Sequence, residues 1–112
     1  MTETPATQEK STTELRDLSR YFYALKEVWR LRMLLALADA DELSVSEIAE
    51  LLGLSQPLVS WHLRRLRQAS VVNVRREGRE SFYSLDRERI ATYRASFARL
   101  LGLYPSAVRA SP

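Results

Sequence analysis

The chain has 112 residues and a formal charge of +3, with 17 basic and 14 acidic side chains, which is enough for one domain that buries about two thirds of its unfolded surface. It has no cysteine and one histidine, which excludes disulfide frameworks, thiolate metal sites and thiol catalysis. The first twelve residues are polar and do not resemble a signal peptide. Apolar runs such as residues 33–38 fall far short of the roughly 20 residues that span a membrane, so the expected location is the cytoplasm, without membrane contact.

Residues 1–12 carry almost no apolar side chain and are expected to be a disordered tail. Ser11 or Thr13 can cap a first helix with Leu15, Leu18, Phe22 and Leu25 at helical spacing. A second apolar helix follows through Val28, Leu31, Leu34, Leu35 and Leu37 and ends in the acidic turn at residues 39–42. Neither segment contains glycine or proline after its start, so the break between them is left open.

Ser44, Val45, Ser46 and Glu47 form S-x-x-E, a capping box that starts a short helix through Ile48, Leu51 and Leu52. Gly53 supplies its left-handed stop. Ser55 caps the next helix, with Pro57 tolerated in the first turn. Two short helices joined by a tight glycine-containing turn form a helix-turn-helix. At about 100° per residue the second of them separates into two arcs. Leu58, Val59, His62, Leu63, Leu66 and Ala69 form the apolar arc. Gln56, Pro57, Ser60, Trp61, Arg64, Arg65, Arg67 and Gln68 form the other, which holds three arginines, a tryptophan and no acid. A solvated helix face normally mixes charges and avoids a large ring, so this arc is expected to meet a partner.

Beyond Ser70 the apolar period becomes two. Val72 and Val74, then Phe82, Tyr83 and Leu85, flank a Glu77-Gly78 turn, which predicts a hairpin with Val72 facing Tyr83, Arg75 facing Glu80 and Arg76 facing Arg79. Like charges opposed at its tip call for an anion between them. Asp86 caps a last helix with Ile90, Tyr93, Phe97, Leu100, Leu101 and Tyr104 in one stripe, and residues 105–112 form a C-terminal tail. The second half is arginine-rich: residues 61–99 hold ten basic and four acidic residues against six and ten in residues 1–60, as a polyanion binder would. The expected fold is therefore mainly α with a two-stranded β-wing, a winged helix-turn-helix over residues 13–104.

The run ELSVSEIAELLGLSQPLVSWHLRRLRQASVVNVRREGRESFYSL, residues 42–85, resembles the ArsR/SmtB family of bacterial transcription regulators. The matching elements are S-Q-x-x-V-S-x-x-L-x-x-L-R from Ser55, V-V-x-V-R-R-E-G-R from Val71 and the pair Phe82-Tyr83, although Val28 stands where many members have proline. The resemblance implies a homodimer on a palindromic double-stranded operator, joined through the first and last helices. Their exposed stripes would supply the interface: Leu15, Leu18 and Phe22 with Phe97, Leu100, Leu101 and Tyr104. It places Gln56, Ser60 and Trp61 at positions that address bases and backbone, beside Pro57. Gln56 can pair with adenine and Arg64 can reach phosphate or guanine. Arg75, Arg76 and Arg79 are expected at phosphates or the minor groove. Trp61 departs from the pattern; it lies against a thymine methyl, or folds over Pro57 and Arg65. Arg67 is expected in a structural salt bridge.

Where the best-known relatives read E-L-C-V-C, this chain has Glu42, Leu43, Ser44, Val45 and Ser46, and serine is a poor ligand for soft metals. The last helix has no histidine, so a second family site is also incomplete. No cofactor is assigned. His62, on the apolar arc, is expected to donate to a carbonyl or carboxylate in the interior. The alternative is one imidazole with carboxylates from a partner subunit or residues 39–47, which would suit nickel or zinc. The other sensory modes are a small organic ligand, a protein effector, or none. No set of convergent groups for catalysis is present, so the chain is not read as an enzyme. A winged helix serving only as a protein-interaction module is the remaining reading.

Overall fold

The computed structural model describes residues 5–103, with side chains from Thr12 onward. The elements follow in the order α1 (Pro5–Leu25), α2 (Val28–Ala38), β1 (Leu43–Ser44), α3 (Val45–Leu52), α4 (Gln56–Gln68), β2 (Val72–Glu77), β3 (Glu80–Leu85) and α5 (Arg87–Leu100). Helix α1 reaches back to Pro5, so the tail expected over residues 1–12 is helical from there and neither Ser11 nor Thr13 is a cap. No glycine or further proline interrupts residues 5–25, and proline itself fits only the first turn of a helix. The C-terminal tail and Tyr104 lie outside the described residues.

The break left open by the sequence falls at Lys26 and Glu27. Glu27 caps α2 with its own carboxylate, Oε2 accepting from the amides of Trp29 at 2.8 Å and Arg30 at 3.3 Å. The inward face of α2 carries Arg30, Met33 and Leu37; Val28, Leu31 and Leu35 face outward. Apolar residues surround this helix, so periodicity alone could not choose its core side. Met33 and Leu37 join Ile48, Val59, Leu63, Leu66 and Val71 in a core closed to solvent. This core anchors the helix-turn-helix.

The capping box at α3 forms as expected: Ser44 Oγ accepts from the Glu47 amide at 3.1 Å, and Glu47 Oε1 accepts from the Ser44 amide at 2.8 Å. Gly53 closes α3 at φ 68°, and Ser55 Oγ caps α4 through the Leu58 amide at 3.3 Å. Helix α4 ends without glycine. Ser70 takes φ 62°, its amide donates to the Arg67 carbonyl at 2.9 Å, and the Val71 amide donates to that of Leu66 at 3.2 Å. This is a Schellman stop, with buried Val71 against buried Leu66 as its apolar contact.

The hairpin register differs from the expected one by two residues. Val72 pairs with Leu85, Val74 with Tyr83, Arg75 with Phe82, Arg76 with Ser81 and Glu77 with Glu80, so the opposed like charges are two glutamates and the Arg76–Arg79 and Arg75–Glu80 pairings do not exist. Gly78 has φ 61° and Arg79 is not in the positive-φ region, which puts glycine first in a type II′-like Gly78-Arg79 turn. A Glu77-Gly78 turn would instead require glutamate at that strained position. The shift is even, so each side chain keeps its predicted face. The hairpin gains a short third strand, β1, which pairs Leu43 with Tyr83 and Ser44 with Phe82.

Helix α5, capped by Asp86 Oδ1 on the Arg89 amide at 2.9 Å, returns along α1. Tyr21 stacks on Tyr93 at 4.5 Å, Phe22 meets Phe97 edge-on at 4.8 Å, and Glu14 accepts from Ser96 and Arg99. Tyr93 also donates to the Ala69 carbonyl at 2.9 Å, tying α5 to the end of α4. Leu18 is only 3% exposed and faces this protomer's own core, not outward as an interface residue would. Leu100 is half-buried against the same core. Leu15, Phe22, Phe97 and Leu101 stay on the surface.

Candidate nucleic-acid interface

Helix α4 is held by Val59, His62, Leu63 and Leu66, all buried. Leu58, placed by periodicity on the same arc, is exposed, because the N-terminal turn projects past the edge of the core. The opposite face presents Gln56, Pro57, Trp61, Arg64, Arg65, Arg67 and Gln68 to solvent, with Ser60 half-buried at its border. Arg65 donates to Gln68 at 3.4 Å. Arg64 and Arg67 make no ion pair among the described residues, so the salt bridge expected for Arg67 is not formed. This leaves a basic face with no carboxylate on the helix to neutralise it.

The wing arginines divide into two kinds. Arg75 Nη2 lies 2.6 Å from Glu42 Oε1, its Nε is 3.2 Å from both carboxylate oxygens, and Glu77 is a further partner at 3.4 Å. The same guanidinium sits 4.7 Å over the Phe82 ring. Its hydrogen bonds hold the Glu42 carboxyl below its ordinary pKa, with desolvation opposing. Arg75 is thus a bidentate, stacked arginine with its charge balanced. Among the described residues Arg76 reaches only the Ser81 hydroxyl, at 3.4 Å, and Arg79 at the tip has no ion pair. Glu42 lies 33 residues from Arg75, and no local pattern in the sequence signals their pairing.

Trp61 is 41% exposed. Its ring lies 5.0 Å from the Arg65 guanidinium and 5.3 Å from that of Arg30, and it meets His62 edge-on at 5.0 Å. Of the cluster expected over Pro57 and Arg65, the Arg65 contact is present, and Arg30 adds a second cation at the ring. His62, expected to donate to a carbonyl or carboxylate, is 5% exposed, and its Nδ1 accepts from Arg30 Nε at 3.2 Å. Burial pushes the imidazole pKa down and the Arg30 charge adds to this, against the opposing pull of Glu27. Its neutral form is the one that can accept. Arg30 escaped the sequence reading because arginine is seldom buried, although Arg30, Met33 and Leu37 share a helical face.

A family model described as "Bacterial regulatory protein, arsR family" matches residues 29–74. The HTH-type transcriptional regulator KmtR of Mycobacterium tuberculosis is 44% identical over 69 residues, which are 62% of this chain and 52% of KmtR. The chain thus spans about half the length of that relative. The probable mercury resistance operon repressor of Streptomyces lividans is 36% identical over 86 residues, 77% of this chain and 68% of that protein. The chain belongs to the ArsR family. Among solved structures, reduced HlyU from Vibrio cholerae superposes with a TM-score of 0.61 at 35% identity, over 84% of this chain and 95% of that one.

ArsR membership raises the question of a metal. Among the described residues no three histidine, cysteine, aspartate or glutamate side chains converge on a point that could hold one. Ser44 stands where a thiolate ligand would be needed, and its hydroxyl caps α3; His62 Nδ1 is occupied by Arg30. The donor set among the described residues of one protomer therefore does not fit a metal centre. No helix among the described residues is long and apolar enough to cross a membrane.

Proposed function

We propose that this ArsR-family chain is a transcription regulator that binds a palindromic DNA operator as a homodimer and carries no enzymatic activity. The observation that carries the reading is the exposed face of α4. Gln56, Trp61, Arg64 and Arg65 stand on it together without an acid, a surface that suits base edges and phosphates. Arg76 and Arg79 extend the positive surface along the wing, where phosphates of the adjoining groove would lie. A module for protein interaction alone would have no use for an α4 face with three arginines and no acid.

The dimer reading rests on Leu15 and Phe22 of α1 and Phe97 and Leu101 of α5, large apolar groups left at the surface of two helices that pack together. Such patches mark contact sites. The occupied His62 favours a small organic or protein effector over nickel or zinc as the regulatory signal. The sign of regulation is not carried by the fold: HlyU is a transcriptional activator and the Streptomyces lividans relative is a repressor.

The test begins with selection of a duplex from a random pool, followed by anisotropy titration over a range of KCl concentrations and light scattering of the free protein. The expected result is a palindromic site, a mass of two chains and an affinity that falls steeply with salt. Gln56→Ala should lower discrimination between selected and random duplex by about 1–3 kcal/mol. Enrichment of no sequence, with no binding to random duplex at low salt, would refute the reading.

A further inference from the structure

The ring of Trp61 is approached from inside the protein by a residue on another helix. Arg30 of α2 is 4% exposed, and its donors are distributed over three neighbours. Nε goes to His62 Nδ1 at 3.2 Å, Nη1 to the Ala24 carbonyl at 3.4 Å, and the guanidinium carbon stands 5.3 Å from the centre of the Trp61 ring. Glu27, which caps α2, places Oε2 3.8 Å from the same histidine nitrogen.

A buried guanidinium carries a large desolvation cost, and an apolar side chain of similar volume often serves stability as well or better. Here the cation is matched to one imidazole on the inner arc of α4 and to the aromatic ring next to it on the outer arc. An exposed indole left to itself would sample several rotamers. Trp61 is instead flanked by Arg30 from within, by Arg65 along the helix and by the edge of His62. Part of its apolar surface still faces outward. In a major groove the apolar group such a surface can recognise is the thymine 5-methyl.

We propose that Arg30 is a positioning residue for base reading: it holds the Trp61 indole where it meets a thymine methyl, so preference for thymine is set from α2. This rests on the reading of the chain as a DNA-binding regulator. His62 is the relay, because it joins Arg30 to the backbone of α4 through a side chain that faces away from DNA.

The test uses the full chain and a duplex that it enriches from a random pool, made once with thymine and once with uracil throughout. Uracil differs only by the missing methyl, and burial of one such group is worth about fourfold in affinity per half-site. The wild type, with two half-sites per duplex, should prefer thymine by about sixteenfold, and Trp61→Ala should bind both duplexes alike. Arg30→Met should lose most of the preference while keeping the wild-type salt dependence, which a general loosening of the helix would not do.

If Arg30→Met fails to fold by circular dichroism, two histidine variants decide the matter. His62→Gln keeps an acceptor for Arg30 and should keep the preference; His62→Leu removes it and should lose the preference. Equal ratios in those two variants, a wild-type ratio of one, or full preference in Trp61→Ala or a folded Arg30→Met would overturn the proposal. Failure of the wild type to enrich any duplex would instead overturn the DNA-binding reading, before any ratio is measured.

Discussion

Arg75, Arg76 and Arg79 carry the same charge on one hairpin, yet the structure predicts unequal roles at DNA. The Arg75 charge is balanced by Glu42 at 2.6 Å, and its plane is occupied by Phe82. To meet a phosphate it must leave Glu42 or bring that carboxylate towards the phosphate, which opposes binding. Arg79 has no competing ion pair among the described residues. Each phosphate neutralised releases counterions and contributes about 0.9 to the slope of log affinity against log salt. A dimer therefore loses about 1.8 from that slope on Arg79→Ala, whereas Arg75→Ala should leave it nearly unchanged. Glu42→Gln leaves Arg75 only the more distant Glu77 at 3.4 Å and should steepen the slope by up to about 1.8, a gain abolished in the Glu42→Gln/Arg75→Ala double variant. The assay is anisotropy titration of one fluorescent duplex at four or more KCl concentrations. A slope that falls as far for Arg75→Ala as for Arg79→Ala would show that Glu42 yields its arginine to DNA, and the argument would fail.

Two further outcomes concern stability. Ser70 holds φ 62° at the end of α4, a conformation that costs a non-glycine residue about 1–2 kcal/mol. Ser70→Gly removes that strain but adds flexibility to the unfolded chain, so a net gain of about 0.5–1 kcal/mol is expected, measured by urea melts at fixed protomer concentration; Ser70→Val should lose at least as much. The second outcome is a pH dependence from His62, whose pKa in the fold is depressed below its ordinary 6.5 by burial and by Arg30. Above 6.5 the imidazole is neutral in both states; below it the unfolded chain takes up the proton first, so stability falls with falling pH until the folded histidine also titrates. His62→Gln should flatten that part of the profile between pH 5 and 7, and an unchanged profile would count against the buried acceptor.

Much of the candidate site is legible in the linear chain. Ser44 with Glu47, Gly53 and Ser55 specify where α3 begins and ends and where α4 begins, because caps and left-handed stops depend on neighbours within one turn. The two arcs of α4 follow from helical period, and they separate Val59, Leu63 and Leu66 from Gln56, Trp61 and Arg64. The alternation of Val72, Val74 and Tyr83 shows a hairpin and its faces. Turn chemistry then decides the register, and there the position of Gly78 outweighs the symmetry of the flanking charges.

Contacts between residues distant in sequence are a different matter. Whether Leu18 closes the protomer or faces a partner, and which side of the largely apolar α2 is the core side, depends on how helices stack, since each has more apolar surface than one neighbour can cover. Arg30 reaches His62 across 32 residues, and Glu42 reaches Arg75 across 33. Neither pairing has a local signal, because a charged group finds its counter-charge through the folded chain. The sequence by itself determined the helix-turn-helix, its capped ends and the basic face of α4. Tertiary structure alone decided which arginines remain free on that surface, which one is paired off, and which one lies beneath Trp61, since only packing brings the partners within hydrogen-bond distance.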